Sequence, residues 1–403
     1  MRAFKSKQES SSVCPHHFHI FACEYTEPGQ SSRSVKASGP TLDFIRNPAG
    51  SLKAYYELFR QGRSRRTKKA LKGIQPAPIA EVQPGTIRKK RLSRLCRLQP
   101  RVFLFNVAAQ TQSREAFMFL PHKLYGVIGD PVAHSLSPLL HNTAFQTWGI
   151  PSVLMAWHIL PERLRDFVQA VRTLPIAGCC VTIPHKIAIV PLLDRITPLA
   201  ASVGAVNTLY WDGPELVGHN TDVEGFLFPL WQYSALSRVL VLGAGGAARA
   251  VLGGLYQLPG VREILICARR EEQARELIAT VRPMEDEHKT RKDPLPDIRV
   301  LPWDSRHDCP ADLIVNTTPA GLDGKSPLEH FPRPARQTAL AYDLVYFRTP
   351  FLDAAAAAGW TAINGRDMFL AQAGAQFTLW TGFPMPEAAS AALDEAIARH
   401  NPL

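Results

Sequence analysis

From Lys123 onward the chain alternates short apolar runs with segments whose apolar residues recur at helical spacing; before that point no periodicity is sustained. Leu124 to Gly129, Val153 to Ile159 and Cys179 to Ile183 have the length and composition of buried strands. Helices are expected between them, one to about Trp148 with Ser137 and Pro138 as its N-cap and first residue, and one from Pro161 to Leu174. Ala205 to Trp211 and Leu216 to Asp222 flank Asp212-Gly213-Pro214 and read as a hairpin, with Asp-Gly as the turn. A second alternation follows. Its strands are Arg238 to Leu242, Glu263 to Cys267, Asp312 to Asn316, Leu340 to Val345 and Thr361 to Ile363. Its helices are Ala247 to Leu258, Glu271 to Val281, Asp367 to Trp380 and Glu387 to His400, with a polar loop from Arg282 to Asp297. Strands alternating with helices predict an α/β protein.

Composition adds three constraints. A hydrophobic content of 46% and a charged content of 20% belong to a globular chain, and no apolar run approaches the ~20 residues of a membrane span. Seven cysteines, two of them adjacent at Cys179 and Cys180, fit a reduced, cytoplasmic protein. No Cys/His grouping has zinc spacing, so no metal is expected. The net charge of +11 is uneven, because residues 1–120 hold 22 Lys and Arg against 7 acids. That third includes Arg63-Ser-Arg-Arg-Thr-Lys-Lys69 and Arg88-Lys-Lys-Arg91, with short helical pieces conceivable from Leu42 to Arg60. It reads as a basic extension of low order, open to roles as a nucleic-acid arm, an anionic-surface tether or a targeting segment, or to none. A start at Met118 is a further alternative.

Val239 to Arg249 carries the clearest chemistry. After the apolar strand, Gly243, Gly245 and Ala248 fit G-x-G-x-x-G/A: a tight turn, a close approach to a pyrophosphate, and close helix packing. The following helix offers free N–H groups and the positive end of its dipole to phosphates. At the end of the next strand an NAD site places an acid, but here Ala268, Arg269 and Arg270 precede Glu271. Two guanidinium groups suit a 2′-phosphate, which favours NADP. In the first alternation, Ser135 and Ser137 lie on a loop after a strand and are suited to a hydroxylated or carboxylated ligand, although one is explained by capping. Pro184 turns the chain sharply after Ile183. Lys186 then falls in a first helical turn, a poor place for a cation and therefore a candidate functional one. Asn207 and Asp222 stand at opposite ends of the hairpin, so a shared site depends on the tertiary fold, and both also suit plain turns.

These motifs resemble the shikimate dehydrogenase family. The resemblance rests on Gly-Asp-Pro-Val-Ala-His-Ser-Leu-Ser-Pro (129–138), Val-Thr-Ile-Pro-His-Lys (181–186), Gly-Ala-Val-Asn-Thr (204–208) and Asn-Thr-Asp (220–222). It continues in order with Gly-Ala-Gly-Gly-Ala-Ala-Arg (243–249), Asp-Leu-Val-Tyr (343–346) and Gly-Arg-Asp-Met-Phe-Leu-Ala-Gln (365–372), covering about residues 123 to 400. It implies a substrate domain over 121–232 completed by helices in 367–400, and a Rossmann NADP-binding domain over 233–366. By resemblance, Ser135 and Ser137 hold a substrate carboxylate. Thr182, Asn207, Asp222, Tyr346 and Gln372 line the rest of the pocket, and Lys186 with Asp222 forms the catalytic pair. Gly243, Ala244, Gly245, Gly246 and Ala247, with Arg269, Arg270, Leu344 and Gly365, are implied to contact NADP(H), with Met368 near the nicotinamide.

Three departures stand out: Cys180 where the family usually has Asn, Ala268-Arg269-Arg270 with Gln273 in the cofactor motif, and His185 where Phe is usual. The implied activity is reversible, NADPH-dependent reduction of 3-dehydroshikimate to shikimate, on the route to chorismate and aromatic amino acids. Lys186 is expected as proton donor in reduction and base in oxidation. The expected partners are small molecules, with neither membrane nor nucleic acid, and a homodimer is the assembly to test. Two alternatives remain open at this stage. One is a quinate/shikimate dehydrogenase using NAD, which the Arg269-Arg270 pair argues against. The other is a non-catalytic shikimate-responsive regulator, which retention of both Lys186 and Asp222 argues against.

Overall fold

The computed structural model describes residues 121–233, 236–284, 294–321 and 323–400. The basic extension and the helical pieces expected at 42–60 lie outside the described residues. Two six-stranded sheets organise the rest. In the first, β1 (Lys123–Gly129), β2 (Ser152–His158) and β3 (Ile176–Val181) are parallel. β5 (Thr208–Asp212) and β6 (Glu215–His219) form the hairpin, with β4 (Arg195–Ile196) beyond them, in the order β2-β1-β3-β5-β6-β4. The second sheet is wholly parallel: β7 (Arg238–Leu242), β8 (Glu263–Cys267), β9 (Asp297–Leu301), β10 (Leu313–Asn316), β11 (Leu340–Asp343) and β12 (Thr361–Ile363). Their order, β12-β11-β10-β7-β8-β9, is the doubly wound dinucleotide-binding order, in which the direction of progression reverses beside β7.

The central strands of each sheet are buried on both faces, which is why β1, β3, β7, β8 and β10 read as apolar runs. Val239 and Val241 enter one core and Leu240 and Leu242 the other, so successive side chains fill opposite layers. Tyr125 and Val127 likewise oppose Ile128. Burying each such side chain is worth about 1.5–3 kcal/mol. The helix Arg366–Thr381 ties the halves together: Met368 belongs to a core of the second sheet, and Leu370, Ala373 and Phe377 to a core of the first. The last helix, Glu387–His400, packs on Ser137–Thr147 of the first half.

Four expectations are corrected. Ser137 is not an N-cap. It begins the helix Ser137–Thr147, the N-cap is Leu136 without a side-chain bond, and Ser137 N–H donates to Ser135 Oγ at 3.3 Å. The hairpin turn is centred one residue later, on Gly213-Pro214, with Asp212 paired to Glu215. Gly213 supplies the positive φ of 59° and proline cannot, so glycine comes first, as in a II′ turn. β9 arises at the end of the expected loop, where Asp297 and Arg299 hide an edge strand among charges. The helix Pro350–Ala357 is also additional, capped by Thr349, whose hydroxyl accepts from Leu352 N–H at 3.4 Å.

Candidate active site

The strand ends of the first sheet deliver side chains from separate parts of the chain to one place. Lys186 follows β3, and its Nζ donates to Asp222 Oδ2 at 2.6 Å; both side chains are nearly buried, at 13% and 8% exposure. Asp222 opens the helix Asp222–Leu227, where its negative charge suits the N-terminus. Its other oxygen accepts from Asn207 Nδ2 at 2.8 Å. That bond settles the Asn207 amide, since a carboxylate only accepts. Asn207 Oδ1 then accepts from Thr221 N–H at 2.8 Å and from the Thr208 hydroxyl at 2.7 Å. Asn207 and Asp222, remote along the hairpin, are therefore direct partners.

Two glutamines of the helix Arg366–Thr381 bond to Asn207. Gln372 accepts from Asn207 Nδ2 at 3.4 Å and donates to Phe369 O at 3.0 Å. Gln376 lies outside the expected set, yet its Nε2 donates to Asn207 O at 3.2 Å and to Thr208 Oγ1 at 3.0 Å. Its spacing of four residues from Gln372 places both on one helix face, a pattern the sequence does carry. Cys180 donates its thiol to Gln376 Oε1 at 3.3 Å. Burial pushes that thiol well above its ordinary range, with the nearby Cys179 and Asp222 charges adding, so Cys180 is an inert thiol. Ser135 is half-buried on the loop after β1, Ser137 is buried at the start of the helix that follows, and Thr182 is half-buried beyond β3. Tyr346 reaches over from the second half, donating to His134 O at 3.3 Å. His185, the departure beside the lysine, is buried with Nε2 2.7 Å from Ile159 O, so it packs inward.

The carboxyl ends of the second sheet border a cavity of about 400 Å³ lined by Lys186, Gly243 to Ala247, Ala268 to Arg270 and Thr317 to Pro319. Gly243 has φ +106°, and a Cβ there would meet Thr317 Oγ1 at 2.6 Å; Gly245 faces open space. A Cβ on Gly246 would sit 3.2 Å from Lys186 Cβ, so loop and lysine are in contact. Arg269 and Arg270 are exposed, and no carboxylate among the described residues pairs with either. A loop open to phosphates, free helix N–H groups and two unpaired guanidiniums fit a 2′-phosphorylated dinucleotide. Arg249 of the glycine motif is different: buried, it bonds Thr280 Oγ1 at 2.7 Å and Glu276 at 3.1 Å, bracing the fold.

Asp343 is buried and accepts from Thr349 Oγ1 at 2.6 Å, Asn316 Nδ2 at 3.0 Å and Val345 N–H at 3.1 Å, which fixes the turn through Leu344 to Tyr346. Burial raises its carboxyl to about 6 against those bonds. Gly365 N–H donates to Val345 O at 2.9 Å, and a Cβ there would strike Leu344 O at 2.1 Å, so only glycine fits beside Leu344. Met368 is buried in the core next to this turn. Among the described residues no group of acids, His and Cys could hold a metal, and no helix is long and apolar enough to cross a membrane.

A family model for the shikimate dehydrogenase substrate-binding domain matches residues 127–209. The NADP(+)-dependent shikimate dehydrogenase of Pelobacter propionicus is 48% identical over 283 residues, covering 68% of this chain and 96% of the relative. Among solved structures, Thermus thermophilus shikimate 5-dehydrogenase in complex with NADP(H) and shikimate is 33% identical with a TM-score of 0.57, covering 68% of this chain and 99% of that one. The Aquifex aeolicus shikimate dehydrogenase is 30% identical with a TM-score of 0.58, covering 68% and 97%.

Proposed function

The chain belongs to the shikimate dehydrogenase family, and from that premise we propose how its residues divide the work. It is an NADP-dependent oxidoreductase that reversibly reduces 3-dehydroshikimate to shikimate in aromatic amino acid biosynthesis. Bound NADPH supplies the hydride to the ring carbonyl carbon. As negative charge develops on the carbonyl oxygen, the Lys186 ammonium stabilises it and passes a proton to it; in oxidation the neutral lysine takes that proton back. Asp222 aims the ammonium and accepts from a ring hydroxyl, while Asn207, itself held by Thr208, Thr221 and Gln376, fixes Asp222. Ser135 and Ser137 take the substrate carboxylate. Thr182, Tyr346 and Gln372 bound the ring.

The glycine loop Gly243 to Ala247 takes the pyrophosphate, Arg269 and Arg270 take the 2′-phosphate, and Leu344, Gly365 and Met368 border the nicotinamide end. We assign 121–232 with helices in 367–400 to the substrate domain and 233–366 to the cofactor domain. Cytoplasmic location is supported by the free, buried thiols at Cys179, Cys180, Cys267 and Cys309. A homodimer through the outer edge of β2 is supported by its make-up, seven residues without Lys, Arg, Asp, Glu or Pro and with Met155 49% exposed.

The observation that carries the mechanism is the 2.6 Å Lys186–Asp222 pair in contact with the glycine loop. Lys186→Ala is expected to lower kcat for shikimate oxidation by roughly 10²–10⁴-fold with little change in KM. A raised KM at unchanged kcat reassigns Lys186 to binding.

A further inference from the structure

The cavity has one large ring in its wall without a role so far. β9 ends at Leu301, paired with Cys267 at the end of β8. Trp303, two residues further, therefore emerges in the same row as Ala268, Arg269 and Arg270, and it lines the same cavity. Its ring is held. The Arg306 guanidinium carbon lies 4.3 Å from the indole centroid, and Arg306 is itself buried at 8% exposure. Arg306 Nε donates to Pro327 O at 2.8 Å and Nη1 to Trp303 O at 2.7 Å, so the cation cannot swing away. A cation on one ring face leaves only the other for a planar ligand.

The row of strand ends says which ligand group arrives there. β7, β8 and β9 are adjacent and parallel. A dinucleotide with its pyrophosphate at the loop after β7 and its 2′-phosphate after β8 directs its base onward, toward the residues after β9 and the cavity wall there. We propose that Trp303 is the stacking wall for the adenine ring of NADP(H), and that Arg306 is a positioning residue that sets the plane of that wall. The proposal rests on the NADP reading above and assigns two residues that the motifs do not reach. Stacking of a base on an indole is sequence-tolerant and needs no hydrogen bond, which suits a position carrying no adenine-specific polar group on the ring face.

The test uses the full chain and two readouts: titration calorimetry with adenosine 2′,5′-bisphosphate, and KM for NADP+ and for shikimate. Trp303→Leu keeps apolar bulk but removes the aromatic face. It should weaken bisphosphate binding and raise KM for NADP+ by about tenfold, while KM for shikimate stays within about twofold. Trp303→Phe should recover most of the loss. Arg306→Met should give a smaller loss in the same two quantities, because the ring is kept but released. Unchanged bisphosphate affinity in Trp303→Leu, or equal losses in Trp303→Leu and Trp303→Phe, overturns the proposal. Wild-type protein that binds neither NADP+ nor the bisphosphate overturns the NADP reading itself, a distinct result.

Discussion

Around Asn207 and Asp222 the polar atoms are already engaged by one another, whereas around Gly245, Arg269 and Arg270 they face open space. The two regions meet at Lys186, which donates to Asp222 on one side and touches Gly246 on the other. The side around Asn207 is a frame assembled from four stretches of chain, which supply Cys180 and Lys186, Asn207 and Thr208, Thr221 and Asp222, and Gln372 and Gln376, so its geometry is set by the fold itself. The other side is a row of strand ends at which no carboxylate among the described residues pairs with Arg269 or Arg270. Substitutions in the frame should therefore alter turnover and stability together. Substitutions in the open row should alter cofactor binding with the fold unchanged.

The largest effect expected from the frame is Asp222→Asn. Asn207 Nδ2 would lose its acceptor charge and Lys186 its partner, and kcat should fall roughly a hundredfold or more. Stopped-flow rates at saturating ligands measure this, and a raised KM at unchanged kcat would mean that Asp222 only binds. On the open side, replacing Arg269 and Arg270 together with Ala should cut the NADP+ over NAD+ preference by roughly 10–100-fold, since charge-assisted bonds are worth about 1.5–3 kcal/mol. The melting temperature should barely move. An unchanged cofactor ratio would place the 2′-phosphate elsewhere.

Gln376→Leu comes next. It strips partners from Cys180, Thr208 and the Asn207 carbonyl, so stability should drop by about 1–3 kcal/mol and kcat several-fold, with affinity for NADP+ intact. Calorimetry paired with kinetics would contradict the frame if stability fell and turnover did not.

The smallest kinetic effect is predicted for Glu224, buried on the helix that begins with Asp222 and raised to about 7 by burial. A carboxyl whose folded value lies above its unfolded one stabilises below the unfolded value, near 4.5, and loses that contribution as pH rises through about 7. Glu224→Gln should thus gain on wild type by about 2.5 kcal/mol between pH 5 and pH 8. Denaturation midpoints that move in parallel across this window would count against a protonated Glu224.

The difference between the regions also explains what could be read from sequence. The glycine loop and the Arg pair are local, each following its strand directly, so both are visible in the order of residues. The sequence limits expected for β8 agree with the observed Glu263–Cys267, because a parallel strand buried on both faces is an unbroken apolar run. Lys186 and Asp222 were legible as residues and by resemblance, but their contact required the β3–β5–β6 arrangement. Gln376 and Trp303 were missed. A buried glutamine and a half-buried tryptophan carry no motif, and each takes its meaning from a neighbour in space. The type of Ser137 and the following proline suit a cap, yet Ser135 accepts its N–H, leaving the Ser137 hydroxyl to Cys180. Edge strand β9 alternates charges with apolar residues over only five positions, too short for periodicity to stand out from a loop.

The most direct test of the account is the initial velocity of shikimate oxidation by the full chain with NADP+ and NAD+ in parallel. Turnover with a clear preference for NADP+ is the predicted result. Absence of turnover with either cofactor in a folded protein that binds NADP+, or a preference for NAD+, would contradict it.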